Sequence, residues 1–334
     1  MDESRYTLRE FRESECNALA RLLSTVDPDD PVSAESLRHL FESFRESSNL
    51  YNLVVEDRRS GELVGNGALF HVSTDSDPAT LWIEGSVLPA RQRQGIGSHL
   101  YDALAAEARG RKATGLRCRV WENSVSGRAF LAKRAFHERR RIWRSRLEVS
   151  SADTTPLAAL NRSLADQGIE ITTLSREGAS DLGVLRRIYE LDSATGRDVP
   201  RDGGFSPFRF EEFRQFFLGG ENFLPDAWIL AKYGNQYVGI SWGAREPAQP
   251  QVLQQNYTGV RPEFRRRKVA LALKLGLVEF AKRNGFTRIE TSNDSLNQPM
   301  WTLNQALGFQ KLREQIQLDR DLGEPPIGSA PPAH

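Results

Sequence analysis

The sequence predicts a mixed α/β protein made of two similar domains in tandem. Three observations predict it. Strand-like and helix-like segments alternate along the chain, the pattern of a mixed α/β domain. The stretch VLPARQRQGIGSHL at Val87–Leu100 returns as VRPEFRRRKVALAL at Val260–Leu273, and the same shift carries Phe136, ending KRAF, onto Phe309, ending ALGF. Two separated anchors in one register are hard to produce by chance, and a repeat this long marks paired domains rather than a solenoid, whose units run roughly 20–50 residues. The length of 334 residues agrees, at roughly 150 residues per domain.

In the first half, Tyr6–Arg9 reads as a strand and Glu13–Ser24 as an amphipathic helix. Ser33–Arg45 is a second helix, with Ser33 as its cap. Leu50–Asp57 and Glu62–Phe70 form a strand pair turning at Arg59-Ser60-Gly61, and Leu81–Val87 is the next strand. Gly97–Arg109 is a helix with Leu100, Leu104 and Ala105 on one side. Leu116–Val120 is a strand, Ser124–Arg134 a helix and Ile142–Val149 the closing strand. Ser150–Asp166 is polar and carries Pro156, so 150–168 reads as a linker, with a short helix over Pro156–Ala165.

The second half repeats the order. Ile169–Leu174 is a strand, Ser180–Leu191 a helix, and Glu211–Leu218 a helix turning Phe213, Phe216 and Phe217 to a core. Ala227–Tyr233 and Gln236–Gly243 pair across Gly234-Asn235. Val252–Val260 is a strand, Ala270–Asn284 a helix, Arg288–Thr291 a strand, Gln298–Leu307 a helix and Gln310–Leu318 the closing strand. The expected domains are 1–149 and 169–321, and 322–334, rich in Pro, Gly and Ala, is expected to be disordered.

Composition narrows the function classes. Hydrophobic residues make up 39% and net charge is +1, so the chain has no overall bias toward nucleic acid or membrane. The basic run Arg265–Lys268 lacks the interleaved aromatics of a nucleic-acid surface. Cys16 and Cys118 fit no metal or redox spacing, the five histidines form no H-E-x-x-H pattern, and no metal is expected. The beginning MDESRYTLREF does not read as a secretory signal, and no run approaches the ~20 apolar residues of a spanning helix. The expectation is a soluble, cytoplasmic protein.

The chemistry concentrates in Leu81–Arg109. A strand ends near Val87, Pro89 breaks it, and a basic loop leads through Gly95 and Gly97 into a helix. The first N–H groups of a helix have no internal partner and carry the positive end of its dipole, so this is a ready anion site. Two glycines let a phosphate approach the backbone, with Ser98 adding a hydroxyl and Arg91 and Arg93 adding charge. The spacing is neither the G-x-G-x-x-G fingerprint nor a P-loop, and Gly-x-Gly alone equally suits a plain helix start.

The wider pattern is more specific. Val87-Leu88-Pro89, then Gln92-x-x-Gly95-x-Gly97, then helix, strand and Lys133-Arg134-Ala135-Phe136, resembles the GNAT superfamily of N-acetyltransferases. The second half carries Arg265-x-x-Lys268-x-Ala270 and Gly308-Phe309. The tandem layout is similar to that of mycothiol synthase-like, double-domain members. The resemblance implies a central mixed, mostly antiparallel sheet flanked by helices in each half, acetyl-CoA as cofactor and a small-molecule or peptide amine as acceptor. It implies that the amides of Arg93, Gln94, Gly95, Ile96, Gly97 and Ser98 hold the coenzyme A pyrophosphate, with Gln92 in the signature. Val87, Leu88 and Pro89 then flank the pantetheine arm, as an added strand would. Asn123 either holds the pantetheine or caps a helix. Val260, Arg265, Arg266, Arg267, Lys268, Val269 and Ala270 form a second cofactor site by the same carry-over.

The copies differ where Lys268 stands in place of Gly95. A side chain there either crowds the pyrophosphate or supplies an ammonium to it. The lost glycine favours the first half as the coenzyme site, with the second half shaping the acceptor site, although the tandem members carry transfer in the second, which conflicts with that division. Acetyl transfer by direct attack needs a base for the amine and an N–H for the oxyanion, but no cysteine. Glu84, on the strand ending at the loop, is the base candidate. The tyrosine that protonates the leaving thiolate in many family members is replaced by Leu131 and Asn304, with Tyr101 and Tyr257 as substitutes. Those absences leave a second reading, a non-catalytic acyl-CoA-binding sensor. Variable loops at Val26–Pro31 and Asp198–Phe208 are the candidate acceptor walls, and the assembly expected is a monomer with pseudo-twofold domains or a homodimer.

Overall fold

The computed structural model describes residues 1–44, 50–72, 77–199, 204–219 and 222–323. The expected tail from Glu324 and residues 200–203 of one acceptor loop lie outside them. The chain folds into two compact units, Met1–Arg140 with the chain from Ile316 on, and Arg141–Gln315.

The first unit holds β1 (Tyr6–Glu10), α1 (Cys16–Val26), α2 (Ala34–Phe44), β2 (Tyr51–Asp57), β3 (Glu62–Phe70), β4 (Thr80–Val87), α3 (Ile96–Gly110), β5 (Gly115–Trp121) and α4 (Val125–Ala132). Ser33 caps α2 as expected, its Oγ accepting the Ser36 N–H at 2.9 Å. Strands β1 to β4 pair antiparallel in order, and β4 pairs parallel with β5. Amphipathic α3 buries Ile96, Leu100, Leu104 and Ala108 against Leu81, Ile83, Leu116 and Cys118. On another flank α1 packs Leu22 with Val54 and Leu63.

The strand β6 (His137–Glu148) leads into the second unit, followed by α5 (Leu157–Ala165), β7 (Ile169–Thr173), the single turn α6 (Leu174–Glu177), α7 (Leu182–Gly196), α8 (Phe210–Phe217) and β8 (Trp228–Tyr233). Then come β9 (Gln236–Arg245), β10 (Val252–Val260), α9 (Val269–Arg283), β11 (Arg288–Asp294), α10 (Gln298–Ala306) and β12 (Gln310–Asp321). Strands β7, β8, β9 and β10 pair antiparallel, and β10 pairs parallel with β11. One core gathers around α9, with Ile229, Ala231, Leu253 and Ile289. A second, aromatic core sets Phe213 of α8 against Trp228 and Trp242, which stack at 4.7 Å.

The closing strands do not stay with the half that precedes them. Residues Ile142–Glu148 of β6 pair antiparallel with β11, from Ile142↔Asp294 to Glu148↔Arg288, inside the second unit. Leu147 is buried in the α9 core there, and Trp143 meets Trp301 edge-on at 5.5 Å. Reciprocally, β12 from Ile316 on lies next to β5, with Ile316 and Leu318 buried in the α3 core. The boundary read at 149 therefore falls after a strand that already serves the second unit. Residues 150–168 do not form a loose linker either: Leu164 of α5 is buried in the α9 core, and Lys282 Nζ donates to the Ala152 carbonyl at 2.6 Å. Apolar burial of this kind, worth roughly 1.5–3 kcal/mol per large side chain, decides which sheet a strand joins.

Candidate active site

The first loop forms the expected cradle. After Val87 and Leu88 the chain makes a tight turn over Pro89–Arg91, the Arg91 N–H bonding the Leu88 carbonyl at 2.8 Å. Gln92 reaches back, its Nε2 donating to the Val87 carbonyl at 3.2 Å. Arg93 and Gly95 then take left-handed φ of 63° and 83°, which turns the chain sharply into α3. Buried Ile96 anchors the first helical residue. Among the described residues, the N–H groups of Arg93 through Ser98 have no hydrogen-bond partner, so they converge as open donors at a positive helix end. Their side chains are partly committed: Arg91 lies 3.7 Å from Asp57, and Ser98 Oγ accepts from Arg134 at 3.0 Å.

The second loop follows the same path. The tight turn is Pro262–Phe264, and Arg265 Nε donates to the Val260 carbonyl at 3.0 Å, as Gln92 does to Val87. Arg266 and Lys268 hold φ of 59° and 65°, and buried Val269 opens α9. The N–H groups of Arg266 through Leu271 are without partners among the described residues. A non-glycine residue in this conformation costs roughly 1–2 kcal/mol, and Lys268 adopts it all the same. The glycine therefore no longer separates the two halves, since the backbone cradle survives its loss. Arg265 forms an ion pair with Asp198, and the Arg267 guanidinium lies 5.2 Å above the Phe264 ring.

Two other features do separate them. In the first unit, Met1 lies over the cradle: a Cβ on Gly95 would come 2.8 Å from the Met1 nitrogen, which itself contacts His99 Nδ1 at 3.2 Å. Tyr6 donates its hydroxyl to Gln94 Oε1 at 2.6 Å. The second difference lies in the strand. β4 pairs with β5 only over Thr80–Trp82, and β10 with β11 only over Val252–Gln254, so each strand splays from its parallel neighbour before reaching the loop. Register of β3 with β4 runs unbroken from Gly65↔Val87 to Phe70↔Trp82. Against β9, in contrast, β10 jumps from Gln255↔Gly243 to Tyr257↔Trp242, leaving Asn256 as the extra residue of a bulge. A bulge leaves backbone outside the ladder and re-aims it, a device often found beside active sites.

The predicted chemical residues fall in different places. Glu84 sits on β4 with its side chain open to solvent; the surrounding protein pushes its carboxyl above the ordinary carboxylate range, and Arg119 pulls it back. No carboxylate occupies the corresponding stretch of β10, which carries Asn256 and Tyr257. Tyr257 donates to Thr195 Oγ1 at 2.9 Å. Leu131 has no proton to give, and Asn304 is buried with its Nδ2 on Asn293 Oδ1 at 3.1 Å. Asn123 is exposed, and Ser124, at the cap position before α4, makes no side-chain cap; the cap appears instead in the second unit, where Asn297 Oδ1 accepts the Met300 N–H. Cys118 is buried and its thiol is pushed up to about 12, chiefly by desolvation, so it stays protonated and unreactive. Sequence reading missed Lys274, which points into the α9 core at 2% exposure and donates to Gln255 Oε1 at 2.7 Å. Its signal was a lone lysine inside the apolar run VALALKLGLVEF.

No described helix is long and apolar enough to cross a membrane. Residues 16–136 and, again, 185–309 match the sequence model of the Acetyltransferase (GNAT) family. Mycothiol acetyltransferase of Thermobifida fusca (strain YX) is 24% identical over 315 residues, covering 91% of this chain and 93% of that protein. A tandem GNAT protein from the clavulanic acid biosynthesis pathway shares the fold with a TM-score of 0.73 at 20% identity, covering 95% of this chain and 99% of that one. A GCN5-related N-acetyltransferase from Sphaerobacter thermophilus does so with a TM-score of 0.68 at 19% identity, covering 95% and 96%. With two loops of open backbone N–H groups, two splayed strands and two family matches in one chain, the protein belongs to the GNAT family of acetyltransferases and carries its domain twice.

Proposed function

We propose that the chain transfers an acetyl group from acetyl-CoA to the amine of a small molecule or peptide, and that the second unit holds the coenzyme. The observation that carries this reading is the bulge at Gln255–Tyr257 on the strand that leads to the second cradle. Acetyl-CoA supplies an activated acetyl thioester, which the acceptor amine attacks directly. The N–H groups of Arg266 through Ala270 suit a pyrophosphate, with the Lys268 ammonium beside them. The length of β10 from Gln255 to Val260, paired with β9 but free on its β11 side, offers main chain to the pantetheine arm. Backbone at the Asn256 bulge faces the developing oxyanion, where a preorganised N–H contributes about 3–4 kcal/mol. No carboxylate stands beside the bulge on β10, so an acceptor that arrives as the free amine loses its proton to water.

Calorimetric titration of the full chain with acetyl-CoA, joined to a thiol-release assay over an amine panel, tests the reading. One saturable site and coenzyme release with at least one amine are expected. Saturable binding with no turnover on any acceptor would instead support the sensor reading, which the locked, non-acidic Asn304 favours. Two equal sites would overturn the assignment to the second unit.

A further inference from the structure

We propose that Lys274 is the proton donor to the departing thiolate in the second unit. The proposal rests on the placement of the coenzyme there. Lys274 follows Ala270 by four residues on α9, so the two share a face and Nζ belongs to the turn about 6 Å below the cradle. It reaches Gln255, the residue at which β10 leaves β11 and the bulge begins. Gln255 Nε2 is already committed to Ser241 Oγ at 3.1 Å and Thr258 Oγ1 at 2.9 Å, so only its Oε1 faces the lysine. The Phe309 ring lies 5.4 Å from Nζ. An ammonium has three N–H groups, and Gln255 accepts one.

Such a lysine is costly as a structural element. It meets Gln255 and the Phe309 ring beside a core that holds Ile229, Ala231, Val238, Leu253 and Ile289, and Gln255 is tied in turn to Ser241 and Thr258. Among the described residues no charged group acts on it, and desolvation lowers it to about 7. Burial of an unpaired cation is a stability loss that a leucine or methionine would remove, and such groups concentrate at functional sites. The equivalent position in the first unit is Tyr101, also a buried protonic side chain, bonded by Arg320 and overlain by the Arg134 guanidinium. Both copies thus place a proton donor in the second turn of this helix, while Leu131 and Asn304 have none to offer.

The step balances. The C–S bond breaks and sulfur takes its electron pair; one N–H of Lys274 passes to sulfur and leaves a neutral amine. The proton shed by the acetylated nitrogen goes to water, and water returns one to Lys274.

The test reads the coenzyme before any turnover. Free CoA bound to the full chain is titrated by the ultraviolet absorbance of its thiolate, in the wild type and in Lys274→Met. While Lys274 keeps its proton the bound thiol ionises more readily, so at pH 7 the thiolate fraction should be several-fold larger in the wild type than in the variant. In steady state, kcat of the variant should fall about 100-fold with the KM for acetyl-CoA unchanged. Lys274→Gln, which keeps a donor for Gln255, serves if the methionine variant does not fold. Unchanged thiol ionisation in a variant that still binds CoA overturns the role of Lys274 alone. Failure of the wild type to bind CoA overturns the placement of the coenzyme and the lysine's role with it.

Discussion

Gly95 and Lys268 occupy the same turn in the same left-handed conformation, one without a side chain and one with four methylenes and a charge. What holds the path is therefore not the glycine. It is the proline-led turn, the long polar side chain of Gln92 or Arg265 tied to the last strand carbonyl, and the buried first helical residue, Ile96 or Val269. The difference teaches that an anion cradle built from main chain tolerates large changes around it. Divergence shows instead in the strand, where β10 is bulged and β4 is not, in Met1 above the first loop, and in the residue in the second turn of the helix.

The sharpest way to break the comparison is to place one carboxylate in each cradle. Ala270→Glu should weaken acetyl-CoA binding by at least about 100-fold, since like charges in contact cost several kcal/mol. Its counterpart Gly97→Glu should leave calorimetric affinity within about 3-fold, because Met1 already lies over that loop. The reverse result would move the coenzyme to the first unit. Both changes add an acid to a helix first turn, which helix electrostatics favours, so neither should unfold the chain.

Next is the buried pair of helix residues. Lys274→Met should raise stability by about 1–4 kcal/mol at pH 6, whereas Tyr101→Phe should change it little. The sign follows from the titration: Lys274 ionises near 7 when folded and near 10.5 when unfolded, so its burial penalty is full below 7. The penalty fades as pH rises toward 10.5, and chemical denaturation across that range should show the variant's advantage shrinking. An advantage independent of pH would mean the lysine is not the titrating group.

Backbone conformation gives a smaller contrast. Gly95→Ala forces a Cβ to φ 83° and against Met1, and should destabilise by about 1–2 kcal/mol in urea unfolding. Lys268→Gly relieves the same conformation but loosens the unfolded chain, so its net change should stay within about 1 kcal/mol. Least affected should be Glu84→Gln: with chemistry in the second unit, kcat stays unchanged. A fall of about 100-fold would restore Glu84 as the base.

Much of this molecule was legible in its sequence. Element order, the family and the two loops follow from Val87–Leu100 and its copy, because main-chain cradles need few and local signals. The strand exchange was not legible. His137–Glu148 and Gln310–Asp321 are both largely charged strands with few apolar residues, so neither pattern names its core, and packing of Leu147 and of Ile316 decides it. The bulge at Asn256 was hidden because β10 has no glycine or proline at that point. Lys274 was overlooked because a lone lysine on a helix usually faces water.

The exchanged strand sets the order in which the protein can be made. A chain emerging from the ribosome has β1 through β5 long before Ile316, so the first unit waits, its β5 edge unpaired, until nearly the whole chain is synthesised. The second unit already carries its closing strand near its own beginning and can finish first. An amino-terminal fragment ending at residue 149 would carry β6 without its partner and lack β12, leaving two open strand edges of the kind that aggregate.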